Sequence, residues 1–152
     1  MCFNYTLNFS LTDLLMIQDV GSATDPDNYE IEAELGSEEI SAIIKAHSAL
    51  ESDNVIVKID RDLDGEDVLV LSFGDNSNHT NKIDYQVPNT TLENVVYGTK
   101  IPFNSSLIKV ILNNNKDAEE AILSINAQGL MKLNFKSEDW ESIYYIIRKV
   151  DV

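Results

Sequence analysis

The chain has 152 residues, 43% hydrophobic and 24% charged, proportions of one ordinary folded domain and not of a disordered chain. Asp and Glu total 26 against 11 Lys and Arg, a formal charge of −15, so nucleic acid is repelled unless the few cations gather on one face. Cys2 is the sole cysteine, which excludes a disulfide framework and points to a reducing compartment; no apolar run approaches the roughly 20 residues that cross a bilayer, and residues 1–5 lack the basic start of a signal peptide.

Residues 1–28 stand apart from the rest of the chain. Tyr5, Leu7, Phe9 and Leu11 alternate like one strand, Leu14, Leu15, Met16 and Ile17 form an apolar knot, and 21–28 is a polar linker containing Pro26. A strand and linker without a helix of their own read as the tail of a preceding domain. From 29 to 35 the alternation of Tyr29, Ile31, Ala33 and Leu35 with Glu30, Glu32 and Glu34 predicts a half-buried strand. Gly36 breaks it, and Ser37 is a suitable N-cap with Glu38 and Glu39 in the first turn. Ile40, Ile43, Ile44 and Leu50 then mark one helical stripe, with His47 on the same side. Strands are expected at about 54–60, 68–73 and 82–87, turning at Asp64-Gly65 and through the polar stretch 74–81.

The same order then recurs. Residues 100–103 read as a short strand, Asn104 or Ser105 caps a second helix, and Leu107, Ile108, Ile111 and Leu112 are its apolar residues. Asn113, Asn114 and Asn115 end it. Strands come next at about 121–126, 130–135 and 142–147, with Gln128-Gly129 as a hairpin turn. A strand–helix–three-strand unit is therefore used twice in residues 29–152, repeated in element order and not in residue identity, and too long in period for a solenoid.

Several chemical motifs are incomplete. Asp60-x-Asp62-x-Asp64-Gly65 opens like a calcium loop, but Leu71 stands where a bidentate Glu is needed and strands flank it where helices are required. His47 and His79 are the two histidines, with no partner at metal-ligand spacing. Cys2 has no motif around it, and the carboxylates fall on alternating strand positions that face solvent. Neither catalysis nor a metal or other cofactor is expected. Tyr144 and Tyr145 are adjacent on a strand, so they face opposite sides and form no stacking platform with Trp140. The sequons at Asn4, Asn8, Asn78, Asn89 and Asn104 are chance matches in an Asn-rich chain without a secretion signal.

The cations are placed more tellingly. Lys45 lies off the apolar stripe of the first helix, and Lys109 and Lys116 lie off that of the second, while the strands carry most of the acid. With a Debye length of about 8 Å, acids on the far side of the domain would be screened from a polyanion on the helical face. Each lysine–phosphate contact adds a salt slope of only about 0.9, so one domain binds weakly and without sequence preference. A simply solvated helix surface remains the alternative.

Three stretches, 5–17 (YTLNFSLTDLLMI), 101–112 (IPFNSSLIKVIL) and 137–152 (SEDWESIYYIIRKVDV), together with the doubled unit, carry a family likeness. The chain resembles the C-terminal half of a DNA sliding clamp of the proliferating cell nuclear antigen type, with Arg148 where the family has Pro. Leu71-Ser72-Phe73-Gly74 and Gly129-Leu130 are also similar to the checkpoint clamp, and phage clamps share the fold. The resemblance implies an α+β DNA-clamp fold: two pseudo-repeats of strand–helix–three strands with both helices on one face of the sheet. It implies a remnant strand and interdomain connecting loop at 1–28 and a C-terminal clamp domain at 29–152. The implied function is that of a processivity factor that helps encircle duplex DNA and tethers replication or repair proteins, with a checkpoint-clamp subunit or DNA-independent adaptor as the alternative.

Implied partners are duplex DNA, a DNA polymerase, a clamp loader, proteins bearing clamp-binding peptides, and other clamp subunits or copies of this chain. No membrane partner is implied. The implied location is intracellular, nuclear in a eukaryote and host-cytoplasmic for a virus. Lys45, Lys109 and Lys116 would face the DNA. Leu14, Leu15, Met16, Ile17, Ile147 and Val150 would form the partner-peptide pocket, the alternative for the knot being burial against the sheet.

Overall fold

The computed structural model describes residues 28–74 and 81–150. The expected strand at 5–11, the knot at 14–17, Cys2 and His79 lie outside the described residues.

Strand β1 (Ile31–Glu34) turns Ile31 and Ala33 into the core and Glu32 and Glu34 to water, as its period of two requires. Helix α1 (Ser37–Leu50) comes next, and its N-cap is Gly36, not Ser37. The Gly36 N–H donates to Glu39 Oε1 at 2.7 Å, which satisfies an orphan donor at the cap. Ile40, Ile43, Ala46 and His47 face inward, and the helix ends where Glu51 enters the left-handed region at φ 49°. Strands β2 (Asn54–Arg61) and β3 (Asp67–Phe73) form a hairpin, and β4 (Ile83–Gln86) lies against β3. Strand β5 (Thr90–Leu92) is an addition to the expected set.

The second unit comprises β6 (Lys100–Asn104), α2 (Ser105–Asn114), β7 (Glu120–Ile125), β8 (Leu130–Lys136) and β9 (Glu141–Ile147). Asn104 is the cap of α2, its Oδ1 accepting the Leu107 N–H at 3.0 Å. Gly129, at φ 107°, closes the β7–β8 hairpin in a backbone conformation that favours glycine.

All pairings are antiparallel, and the strands divide into two sheets in the orders β5-β1-β7-β8-β9 and β4-β3-β2-β6. The units exchange their first strands. β1 pairs with β7, matching Ala33 to Leu123, while β6 pairs with β2, matching Ile101 to Val57. Each sheet is thus completed by the other unit. Ile43 of α1 and Ile108 and Leu112 of α2 meet Leu35, Val55, Phe73 and Leu133 of both sheets around an apolar cavity of about 20 Å³. Both helices therefore pack into one core, with Phe73, Phe103 and Phe135 fully enclosed and Phe135 edge-on to Tyr144 at 5.9 Å.

Candidate functional site

The helices offer an outward face of mixed character. Lys45 is exposed midway along α1, and Lys109 is half-buried on α2. Lys116 is exposed but sits in the turn after α2 ends at Asn114, so the structure places it beside the helix and not on it. The helices carry two lysines and two glutamates, Glu38 and Glu39. The rest of the described residues carry eighteen carboxylates against nine lysines and arginines. The helical face is locally neutral on a strongly acidic body, so a polyanion meets less repulsion there than the net charge of the chain suggests.

Beneath that face, the helices are joined by a buried polar contact. His47 is 8% exposed, and its Nδ1 lies 2.9 Å from Ser105 Oγ at the start of α2. The Ser105 hydroxyl donates to the Ser52 carbonyl. Because a carbonyl only accepts, the Ser105 proton is committed there, and Nδ1 must carry the proton of the second bond. This pairing has the reverse polarity of a histidine that accepts a serine proton. Burial first, and the nearby Lys109 ammonium second, hold the imidazole pKa below its usual 6.5. Asn115, the C-cap of α2, donates to Ile111 O at 2.8 Å and to the Tyr144 hydroxyl at 3.2 Å.

The C-terminal residues form a second surface. Past β9, the Arg148 N–H donates to Gly129 O at 2.8 Å and the Lys149 N–H to Pro102 O at 2.9 Å, while the Lys149 ammonium donates to the Asn54 side chain. The tail thus crosses from one sheet to the β6 edge of the other. Ile147 and Val150 stand 36% and 73% exposed beside it, and Ile143 is exposed on the same strand. Leu14, Leu15, Met16 and Ile17, their expected companions, lie outside the described residues. Tyr144 is buried while Tyr145 is half-buried on the other side, its ring 5.9 Å from Lys132 Nζ.

The acidic β2–β3 turn is held by itself. Asp62 Oδ1 accepts the N–H groups of Asp64 and Glu66, each at 2.9 Å, so this carboxylate serves the backbone. Among the described residues, no cluster of three or more His, Cys, Asp or Glu side chains is arranged to hold a metal ion. None of the described helices is long and apolar enough to cross a membrane.

No protein-family model matches the chain, and neither does any curated protein. Solved structures do match. Proliferating cellular nuclear antigen from Entamoeba histolytica is similar over 83% of this chain and 48% of its own, at 17% identity and a TM-score of 0.61. The PCNA of Thermococcus kodakaraensis matches over 84% of this chain and 53% of its own, at 16% identity and a TM-score of 0.57. The Helicobacter pylori beta clamp in complex with carprofen matches over 86% and 34%, at 15% identity and a TM-score of 0.57. The chain therefore has the sliding-clamp fold, and it spans about a third to a half of the length of the clamps it matches.

Proposed function

We propose that this chain is a non-catalytic module of a DNA sliding clamp, whose helical face lies toward duplex DNA and whose outer surfaces tether DNA polymerase and other replication or repair proteins. The observation that carries this reading is the coincidence of the clamp fold with the charge distribution. Lys45, Lys109 and Lys116 lie on or beside the helices, which are neutral, while the strands and their turns hold most of the acid. A polyanion repelled by the rest of the surface finds its weakest barrier there, and a few lysine contacts favour sliding over site recognition.

A ring has to be completed by further clamp domains, by other subunits or by additional copies of this chain. The last strands of the two units, β4 and β9, end their sheets as edges, and an open edge presents unpaired N–H and C=O groups that another strand can use. Ile147 and Val150 are the described part of the surface that would take partner peptides. An intracellular location follows from the same reading.

Loading onto nicked circular DNA by a cognate clamp loader tests the proposal. The complex should survive on the circle and be lost when the DNA is cut. A variant with Lys45, Lys109 and Lys116 changed to Glu should load at least ten-fold less. Retention on linear DNA, or no effect of the triple change, would sink the proposal. The neutrality of the helices favours a second reading, a DNA-independent adaptor or checkpoint-clamp subunit. Binding of partner peptides with no retention on DNA circles would identify it.

A further inference from the structure

The helices, the tail and the sheet edges leave an apolar surface unused, at the end of the domain where β2 turns into β3. Leu63 is as exposed as a residue in an open chain, at 106%, and Val96 and Tyr97 are 71% and 50% exposed. The Tyr97 ring lies 4.4 Å beneath the Arg61 guanidinium, and Arg61 Nε bonds Asp67 Oδ1 at 3.1 Å. Tyr97 is thereby fastened to the base of the hairpin that carries Leu63 two residues further on.

Both loops are held by hydrogen bonds. Gly65 N–H closes the turn onto Asp62 O at 3.1 Å, and the Asp62 side chain takes two more N–H groups. The other loop is pinned to β2, with Gly98 N–H on Ile59 O at 2.9 Å and Ile59 N–H on Thr99 O at 3.0 Å. Nothing in the turn requires leucine, since the second position of such a turn accepts most residues and its side chain touches no core. Because the backbone beneath it is already held, covering the Leu63 side chain costs rotamer freedom but little ordering of the loop.

The surroundings define what covers it. Asp60, Asp64 and Glu66 are exposed around the turn, and the cation beside them, Arg61, is already bonded to Asp67 and Tyr97. An anionic membrane or a nucleic acid would be repelled, whereas a basic segment would be attracted. We propose that Leu63, Val96 and Tyr97 form a docking surface for a protein segment that is both cationic and apolar. The proposal is independent of DNA encirclement and uses neither the helix lysines nor the tail.

The test is a titration of the full chain, followed by amide NMR shifts, with a synthetic peptide of alternating Lys and Leu. A Lys-only peptide of equal charge and vesicles of phosphatidylserine serve as comparisons. The Lys/Leu peptide should bind at least ten-fold tighter than the Lys-only peptide, with shifts centred on Leu63, Val96 and Tyr97. Leu63→Ser should remove that ten-fold preference and Leu63→Met should keep it. Leu63 is fully exposed, so either variant should fold. Equal binding of the two peptides, an unchanged preference in Leu63→Ser, shifts centred elsewhere, or binding to the vesicles would each overturn the proposal.

Discussion

The contact between His47 and Ser105 makes stability depend on pH in a predictable direction. The folded chain holds the His47 pKa below 6.5, chiefly by burial and then through Lys109, against the weaker upward pull of Asp53, the Ser52 carbonyl and Glu51. The unfolded chain therefore takes up this proton at a higher pH than the folded one does. The stability that His47 contributes is complete above pH 6.5 and is lost as the pH falls through 6.5 to the lower folded value. Urea midpoints measured at pH 7.5, 6.5 and 5.5 and constant ionic strength should fall in that order in a His79→Gln background. Lys109→Met should shrink the fall by letting the folded pKa rise. Ser105→Ala acts differently, because it leaves both the buried imidazole and the Ser52 carbonyl short of one hydrogen bond. That variant should lose about 2 kcal/mol at every pH, the usual cost of an unsatisfied buried polar group. A midpoint flat from pH 7.5 to 5.5, a His47 pKa at or above 6.5 by NMR, or a Ser105→Ala loss under about 0.5 kcal/mol would refute the reasoning.

Two backbone positions give further tests. Glu51 ends α1 at φ 49° and ψ 36°, where a side chain is strained; Glu51→Gly should gain about 0.5–1 kcal/mol, read as a rise in thermal midpoint. Gly74 has φ 75°, and a Cβ there would fall 2.6 Å from Leu50 Cδ1 and 2.9 Å from the Asn81 carbonyl oxygen. Gly74→Ala should lose about 2 kcal/mol or more in urea unfolding, because strain and overlap add.

The elements that bury one face are legible in the sequence because burial writes a period into it. Ile31 and Ala33 against Glu32 and Glu34 mark β1, and Ile108, Ile111 and Leu112 mark α2. The three residues of β5 are too few to display a period, so that strand is invisible to alternation. The Asn run at 113–115 marks the end of α2, where the chain leaves the helix at Asn115, so Lys116, placed with the helix by its spacing from Lys109, falls in the following turn. The Gly36 cap escapes a search for capping side chains because its acceptor is the Glu39 side chain, three residues away. Pairing partners are not legible at all, since alternation says which face of a strand is buried and nothing about its neighbour. The polar link from His47 to Ser105 and Ser52 spans 58 and 53 residues of sequence and leaves no local pattern.

The exchange of β1 and β6 ties the fold to the candidate site. If each unit kept its own first strand, two small sheets could form separately, each with a helix free to reorient. Here Ala33 is matched to Leu123 and Ile101 to Val57, so neither sheet is complete until both units are folded. The same exchange brings α1 and α2 onto one core, where His47 meets Ser105 and Ile43 shares the cavity with Ile108 and Leu112. Lys45 and Lys109 are then carried by two helices that share one core. The sheets end at β5 and β9 and at β4 and β6, so β4 and β9, the last strands of the two expected units, are two of the four edges. One folding event therefore sets both the helical face and the edges of the two sheets.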